Sequence, residues 1–164
     1  MQPEARFEDA EVKSHPLAEL LACPPSVGDL LNASAQCIEF TQGEAVFRQG
    51  EACRGLYVVV SGQLSRKAER LSTRLTLGAV RVGDLVELAA ALGDGRHTYM
   101  LTAQTPASLV MLPMESLHQA FKAYPPLRMQ LLEELAREVS RAYYSSCAER
   151  MGGIRRRGIA VTSR

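Results

Sequence analysis

The chain has 164 residues, of which 46% are hydrophobic and 23% charged, with a formal net charge of +1. That length and balance suit one globular domain with a sizeable core and leave two independent domains cramped. Near-neutral charge argues against nucleic-acid binding through the overall field, so any basic patch has to be local.

The start, MQPEAR, lacks the basic and then apolar character of a secretory signal, and no apolar run approaches a membrane span, which predicts a cytoplasmic protein. Residues 1–14 are polar and mixed in charge and read as a loose lead-in. A helical patch over 16–22 stops at Pro24-Pro25, and Ser26 reads as the N-cap of a second short helix through Leu30 and Leu31.

From Ile38 to about Leu112 the pattern becomes short strands separated by glycine turns. In GLYVVVSGQLSRK, Leu56, Val58 and Val60 alternate with Tyr57 and Val59, and Ser61-Gly62 supplies a tight turn. Arg66-Lys67-Ala68-Glu69-Arg70 reads as a charged tip, followed by a second alternation at Leu71, Thr73, Leu75, Leu77 and Ala79. Strands are expected again over 98–103 and 108–112. The fold class that follows is α+β: a small β-barrel or jelly roll of short antiparallel strands, flanked by N-terminal helices and a long C-terminal helix.

After Pro113 the period turns helical. Leu117 and Phe121 mark a short helix, Tyr124-Pro125-Pro126 breaks it, and a long helix is predicted over 127–150, ended by Gly152-Gly153. Leu132, Leu135, Val139 and Ala142 recur on it at alternating three and four spacings, an a/d seam that suits a homodimer. The competing reading is a single core-facing helix, and Leu127 and Leu131 lie on a neighbouring face suited to rest on the barrel.

VELAAALGDGRHT, residues 86–98, combines a carboxylate, a short run of helix-forming residues, a glycine-flanked Asp, then Arg, His and Thr. A helix start and a guanidinium both favour an anion. The other reading is a mutual ion pair between Glu87 and Arg96 that pins the turn. His15, His97 and His118 sit in unrelated contexts at no metal-ligand spacing, so no metal site is expected.

Taken in order, FTQGEAVFRQGEACRGLYVVVSGQL, then GDLVELAAALGDGRHT, then the proline-bounded long helix resembles the cyclic-nucleotide-binding domain of the CRP/FNR regulators, over about 26–151. Gly43, Gly50, Gly55 and Gly62 fall where that family's turns fall. The resemblance implies a phosphate-binding cassette over 83–98. In it Glu87 takes a ribose hydroxyl, Leu88 and Ala89 offer backbone N–H groups, Arg96 pairs with the cyclic phosphate beside His97, and Thr98 adds a hydroxyl. The departures are Val86 where the family places Gly before the Glu, His97 where it has a small residue, and Ala142 and Tyr143 where the catabolite activator offers hydroxyls to the purine. A Val at the glycine position would resist positive φ.

The expected organisation is a lead-in and helix over 1–25, a cyclic-nucleotide-binding-like domain over 26–151 with a dimerisation helix at 127–150, and a basic tail over 152–164. The expected function is a regulatory sensor with a partly degenerate cassette, taking a cyclic nucleotide or another small anionic effector and signalling through a homodimer helix. Two alternatives stand beside it: an effector-free dimerisation or partner-binding module, and the sensor part of a truncated CRP/FNR regulator. No Ser/His/Asp, Cys/His or clustered His/Glu arrangement supports an enzyme. The FNR branch holds an iron–sulfur cluster on closely spaced cysteines; Cys23, Cys37 and Cys53 are widely spread, and with Cys147 read as reduced thiols. The 14 residues after Arg150 have no room for a winged helix-turn-helix, so sequence-specific DNA binding by this chain alone is not expected; Arg155, Arg156, Arg157 and Arg164 suit phosphate contacts or a solvated tail.

Overall fold

The computed structural model describes residues 15–70 and 73–158, with side chains described over 17–69 and 77–152. Residues 1–14, the side chains of His15, Leu71, Thr73, Leu75 and Arg155 to Arg157, and the tail from 159 to Arg164 lie outside them.

Two short helices open the described part of the chain, α1 (His15–Leu20) and α2 (Pro25–Ser34). The second starts one residue before the expected Ser26 cap: Pro24 holds the cap position and Pro25 the first helical turn, where a missing N–H costs nothing. Gly28 lets the pair close up, since a Cβ there would stand 2.8 Å from the Ala18 Cβ.

Among the described residues eight strands follow, interrupted by one short helix: β1 (Gln36–Phe40), β2 (Ala45–Phe47), β3 (Gly55–Ser61), β4 (Leu64–Arg70), β5 (Thr73–Val80), β6 (Leu85–Val86), α3 (Leu88–Leu92), β7 (Met100–Ala103) and β8 (Ala107–Pro113). They form two four-stranded antiparallel sheets, in the orders β1-β8-β3-β6 and β2-β7-β4-β5. The jelly-roll expectation is met as two facing sheets; a closed barrel is not formed, because β6 and β5 end their sheets without pairing to each other. The charged run 66–70 is not a hairpin tip but most of β4, which pairs with β5 and, through Leu64 to Lys67, with β7. Gly62 makes the β3–β4 turn at φ 86, and a Cβ there would overlap the Pro106 carbonyl.

The period-two pattern of β3 divides the core. Leu56 joins Leu31, Leu112, Leu117, Leu127 and Leu131 in a layer shared with the helices. Tyr57 and Val59 face the other way, into an inter-sheet core with Phe47, Leu64, Val86, Tyr99, Leu101 and Leu109.

Two helices end the described part of the chain, α4 (Met114–Ala123) and α5 (Pro126–Gly158). The last helix runs through Gly152-Gly153 rather than ending there, since isolated glycines weaken a helix without breaking it. Leu127 and Leu131, one turn apart and buried, fasten its first two turns to the helical core, each worth about 1.5–3 kcal/mol of transfer free energy. Beyond Leu135, which packs partly on that core, the helix carries mainly exposed side chains, including Val139, Tyr143, Tyr144 and Met151.

Candidate functional site

The segment 83–98 folds as one tight unit. Strand β6 pairs with Tyr57 and Val58 of β3, hands over to Glu87, and α3 follows with Leu88 and Ala90 buried and Ala89 half-buried. The turn after α3 is laced to loop 48–53: Ala52 and Arg96 form a bridge, Cys53 N–H donates to the Gly95 carbonyl, and Gly50 N–H donates to the His97 carbonyl.

The left-handed residue of this unit that is not glycine is Glu87, at φ 71 and ψ 36, and not Val86. Val86 is an ordinary strand residue, 1% exposed, so the expectation that it would resist a positive φ does not apply. The strain sits on Glu87, at a position where a side chain costs about 1–2 kcal/mol. Something must hold it, and three hydrogen bonds do. The Glu87 carboxylate accepts from His97 Nδ1 at 2.7 Å, from the Thr98 backbone N–H at 3.1 Å and from Thr98 Oγ1 at 2.8 Å.

The alternative reading, a Glu87–Arg96 ion pair, is not what forms. The partner of Glu87 is His97, and both are buried. Arg96 is exposed and does not face the interior: its Nη1 donates to the Gly50 carbonyl at 3.0 Å, while its backbone N–H donates to Asp94 Oδ1. The space between the sheets is taken by rings instead. His97 lies flat on Phe47, with centroids 3.7 Å apart and 4° between planes, and Tyr57 and Tyr99 tilt against Phe47.

Burial governs the polar groups of this interior. It pushes the Tyr99 phenol well above the ordinary tyrosine range; the Glu87 carboxylate adds to the rise, Arg66 opposes it, Glu138 adds to it, and a hydrogen bond from the Glu87 backbone opposes it. Burial likewise raises the Tyr57 phenol, helped by Cys53, and the Cys53 thiol, whose Sγ donates to the Gly55 carbonyl.

Sequence reasoning missed two residues at this interior. Arg66 pairs with Leu101 across β4 and β7, so it shares the inward face, and its guanidinium carbon stands 5.6 Å from the Tyr99 ring centroid. Its Nη1 meets Glu138 Oε1 of α5 at 2.6 Å. The signal was available in the alternation of Leu64, Arg66 and Ala68, had the charged run been read as a strand.

An open cleft of about 410 Å³ lies elsewhere, between the end of α3, α4 and the start of α5, lined by Leu92, Asp94, Met114, His118, Phe121 and Arg128 among others. None of the inter-sheet rings lines it. Among the described residues no three His, Cys, Asp or Glu side chains are grouped to hold a metal ion. Cys23 lies between α1 and α2, Cys37 on β1, Cys53 before β3 and Cys147 on α5. No described helix is long and apolar enough to cross a membrane. Of the expected seam residues, Leu132 and Leu135 are half-buried, and Val139 and Ala142 are exposed.

Residues 37–124 match the family model for the cyclic nucleotide-binding domain. No curated protein matches the chain. Among solved structures, the chain resembles the sensor domain of the transcriptional regulator DNR from Pseudomonas aeruginosa at 23% identity and a TM-score of 0.65, covering 78% of this chain and 85% of that one. It resembles the catabolite activator protein of Thermus thermophilus at 25% identity and a TM-score of 0.68, over 81% of this chain and 62% of that one. The c-di-GMP responsive global regulator CLP of Xanthomonas campestris matches at 21% identity and a TM-score of 0.63, over 76% of this chain and 63% of that one. The chain thus spans less than two thirds of the latter two proteins.

Proposed function

The chain belongs to the cyclic nucleotide-binding domain family, and from that membership we propose that it is a regulatory effector-sensing domain whose cassette is partly degenerate and which signals through α5 in a homodimer. It acts by binding, without catalysis. Its organisation follows the sequence: a lead-in and helix over 1–25, the sensing domain over 26–151 and a basic stretch over 152–164, of which 152–158 continue α5. The observation that carries the reading is the Glu87–His97–Thr98 tie with His97 stacked on Phe47. The carboxylate that would take a ribose hydroxyl already has three donors, and rings fill the space between the sheets.

The effector is accordingly a small anion rather than cyclic AMP. Arg96 is exposed and bonded to a carbonyl, not to a carboxylate, so an anion can compete for its guanidinium. Cyclic AMP binding would break the three Glu87 bonds, each worth about 0.5–1.5 kcal/mol net, and would unstack His97. Isothermal calorimetry should find no submicromolar affinity for cyclic AMP or cyclic GMP; such an affinity would restore the ordinary nucleotide sensor. Weak phosphate binding should disappear in Arg96→Ala, and a variant that binds unchanged removes the cassette from the mechanism.

The filled interior also favours the second reading, an effector-free dimerisation or partner-binding module. Complete indifference to phosphate, cyclic nucleotides and cyclic dinucleotides, with dimerisation intact, would select it. In either case these 164 residues should not read DNA sequence, and any affinity from the arginine tail should collapse with added salt.

A further inference from the structure

Strand β4 carries an arginine whose surroundings differ from those of every other paired arginine described. Arg66 enters on the inward face, opposite Leu101, and its guanidinium lies against the ring of Tyr99. Nη1 donates to Glu138 Oε1 at 2.6 Å and Nη2 to the Leu77 carbonyl at 3.1 Å. Nε is buried with no hydrogen-bond partner. The side chain as a whole keeps 21% exposure, so one edge of the fork reaches solvent.

Glu138 is set apart as well. On the same helix, Arg137 pairs with Glu133 and Glu134, and Arg141 reaches Glu134, so these cations are engaged on their own helical face. Glu138 instead crosses to the β4–β5 hairpin. A carboxylate supplied by α5 thus fills an arginine that faces the space between the sheets, and leaves one donor of that arginine without an acceptor. Carboxylate and phosphate recognise the planar fork in the same way, by two parallel charge-assisted bonds, and a single-atom contact from Glu138 does not saturate it.

We propose that Arg66 is an anion-binding residue now occupied by Glu138 as a tethered surrogate, and that the phosphate or carboxylate group of a small effector takes it over by displacing Glu138, which unfastens α5 from the β4–β5 hairpin. This rests on the sensor reading and deepens it: it adds Arg66 to Arg96 as a residue on which anion binding depends, and it supplies the link from the interior to the long helix. Tyr99 stands at the interior end of that link, its ring centroid 5.6 Å from the Arg66 guanidinium carbon. The coupling is a competition, so affinity for the anion is lowered by the fraction of time Glu138 holds the site.

The test uses the full chain, inorganic phosphate as the probe, and sodium chloride at matched ionic strength as the control for screening. Glu138→Gln should tighten phosphate binding about ten-fold, the gain expected when a competitor present about nine-tenths of the time is removed. Arg66→Gln should abolish binding in both the parent and the Glu138→Gln background, whereas Arg66→Lys, which keeps the charge and tests that the fold tolerates change there, should retain a weakened response. Phosphate added to the parent should speed amide exchange in α5 around residue 138, and leave it unchanged in Glu138→Gln. Phosphate affinity that ignores Glu138→Gln overturns the proposal. Binding lost in Arg96→Ala but indifferent to both Arg66 and Glu138 also overturns it, while leaving the cassette reading intact.

Discussion

Replacing Glu87 separates the two forces that meet at that residue. Glu87→Ala removes the acceptor of three hydrogen bonds and leaves His97 Nδ1 and the Thr98 N–H facing a buried gap. Each of the two stranded donors costs about 1–3 kcal/mol, and the Thr98 hydroxyl is exposed enough to turn to water, so the expected loss is about 2–6 kcal/mol. At about 2–4 °C per kcal/mol for a domain of this size, the melting temperature should fall by roughly 4–24 °C. Glu87→Gly loses the same bonds but relieves the left-handed φ of 71, worth about 1–2 kcal/mol, against about 0.5–1 kcal/mol for the extra freedom of glycine in the unfolded chain. The glycine variant should therefore be more stable than the alanine variant by about 0.5–1 kcal/mol. Urea unfolding of the three proteins, followed by circular dichroism, measures both differences. A Glu87→Ala loss below about 1 kcal/mol would show that the carboxylate does not hold the turn, and a glycine variant weaker than the alanine variant would remove the strain from the account.

Two further outcomes follow from the same structure. The phenols of Tyr57 and Tyr99 are both raised, so the folded state holds their protons more tightly than the unfolded chain does; the stability they contribute is present below about pH 10 and is lost as pH climbs through their folded values. Thermal melts between pH 9 and about 11.5 should show falling stability, and Tyr99→Phe should flatten that slope; an unchanged slope would mean that the phenol is not buried as described. Dimerisation is best probed at Val139, which is 59% exposed, because Leu135 packs partly on its own core and its loss would confuse folding with assembly. Val139→Lys should give a folded monomer in sedimentation velocity at tens of micromolar, roughly the range in which such seams are occupied; a parent protein already monomeric there, or a lysine variant that stays dimeric, argues against the seam.

The sequence showed the fold clearly and the site only in outline, for reasons that particular residues make plain. Helix α4, strand β8 and the alternation in β3 were legible because burial on one face imposes a period that needs no knowledge of partners. The run 66–70 was not, since a strand carrying Arg, Lys, Glu and Arg mimics a solvated tip unless it is known that β7 lies beside it. At the cassette, residue types announced an anion site, and the segment does fold as one unit. What the sequence did not carry was which carboxylate meets which cation. His97 reads from the sequence as a departure from a small residue beside the phosphate, yet it is the buried partner of Glu87, and Arg96, the natural candidate for that role, turns outward to a carbonyl. Pairing of this kind is decided by a backbone turn at a single residue, the left-handed Glu87, which local pattern does not specify.

These placements make the internal contacts of the domain resemble a set of bound ligands. Thr98 donates to Glu87, Arg66 to Glu138 and Arg96 to Gly50, so the hydrogen bonds an anionic effector would use are already made within the chain. A tethered group competes at an effective concentration on the order of millimolar or above, which an external anion must exceed before it gains a contact. Such a sensor has a high threshold, and its response depends less on the chemistry of the pocket than on the affinity of the internal groups it displaces. It follows that substitutions weakening the internal contacts, Glu138→Gln first among them, should lower the threshold without adding any contact to the effector. That distinguishes a self-occupied sensor from a pocket that has merely lost its ligand, in which removing a carboxylate from α5 would change stability and leave binding where it was.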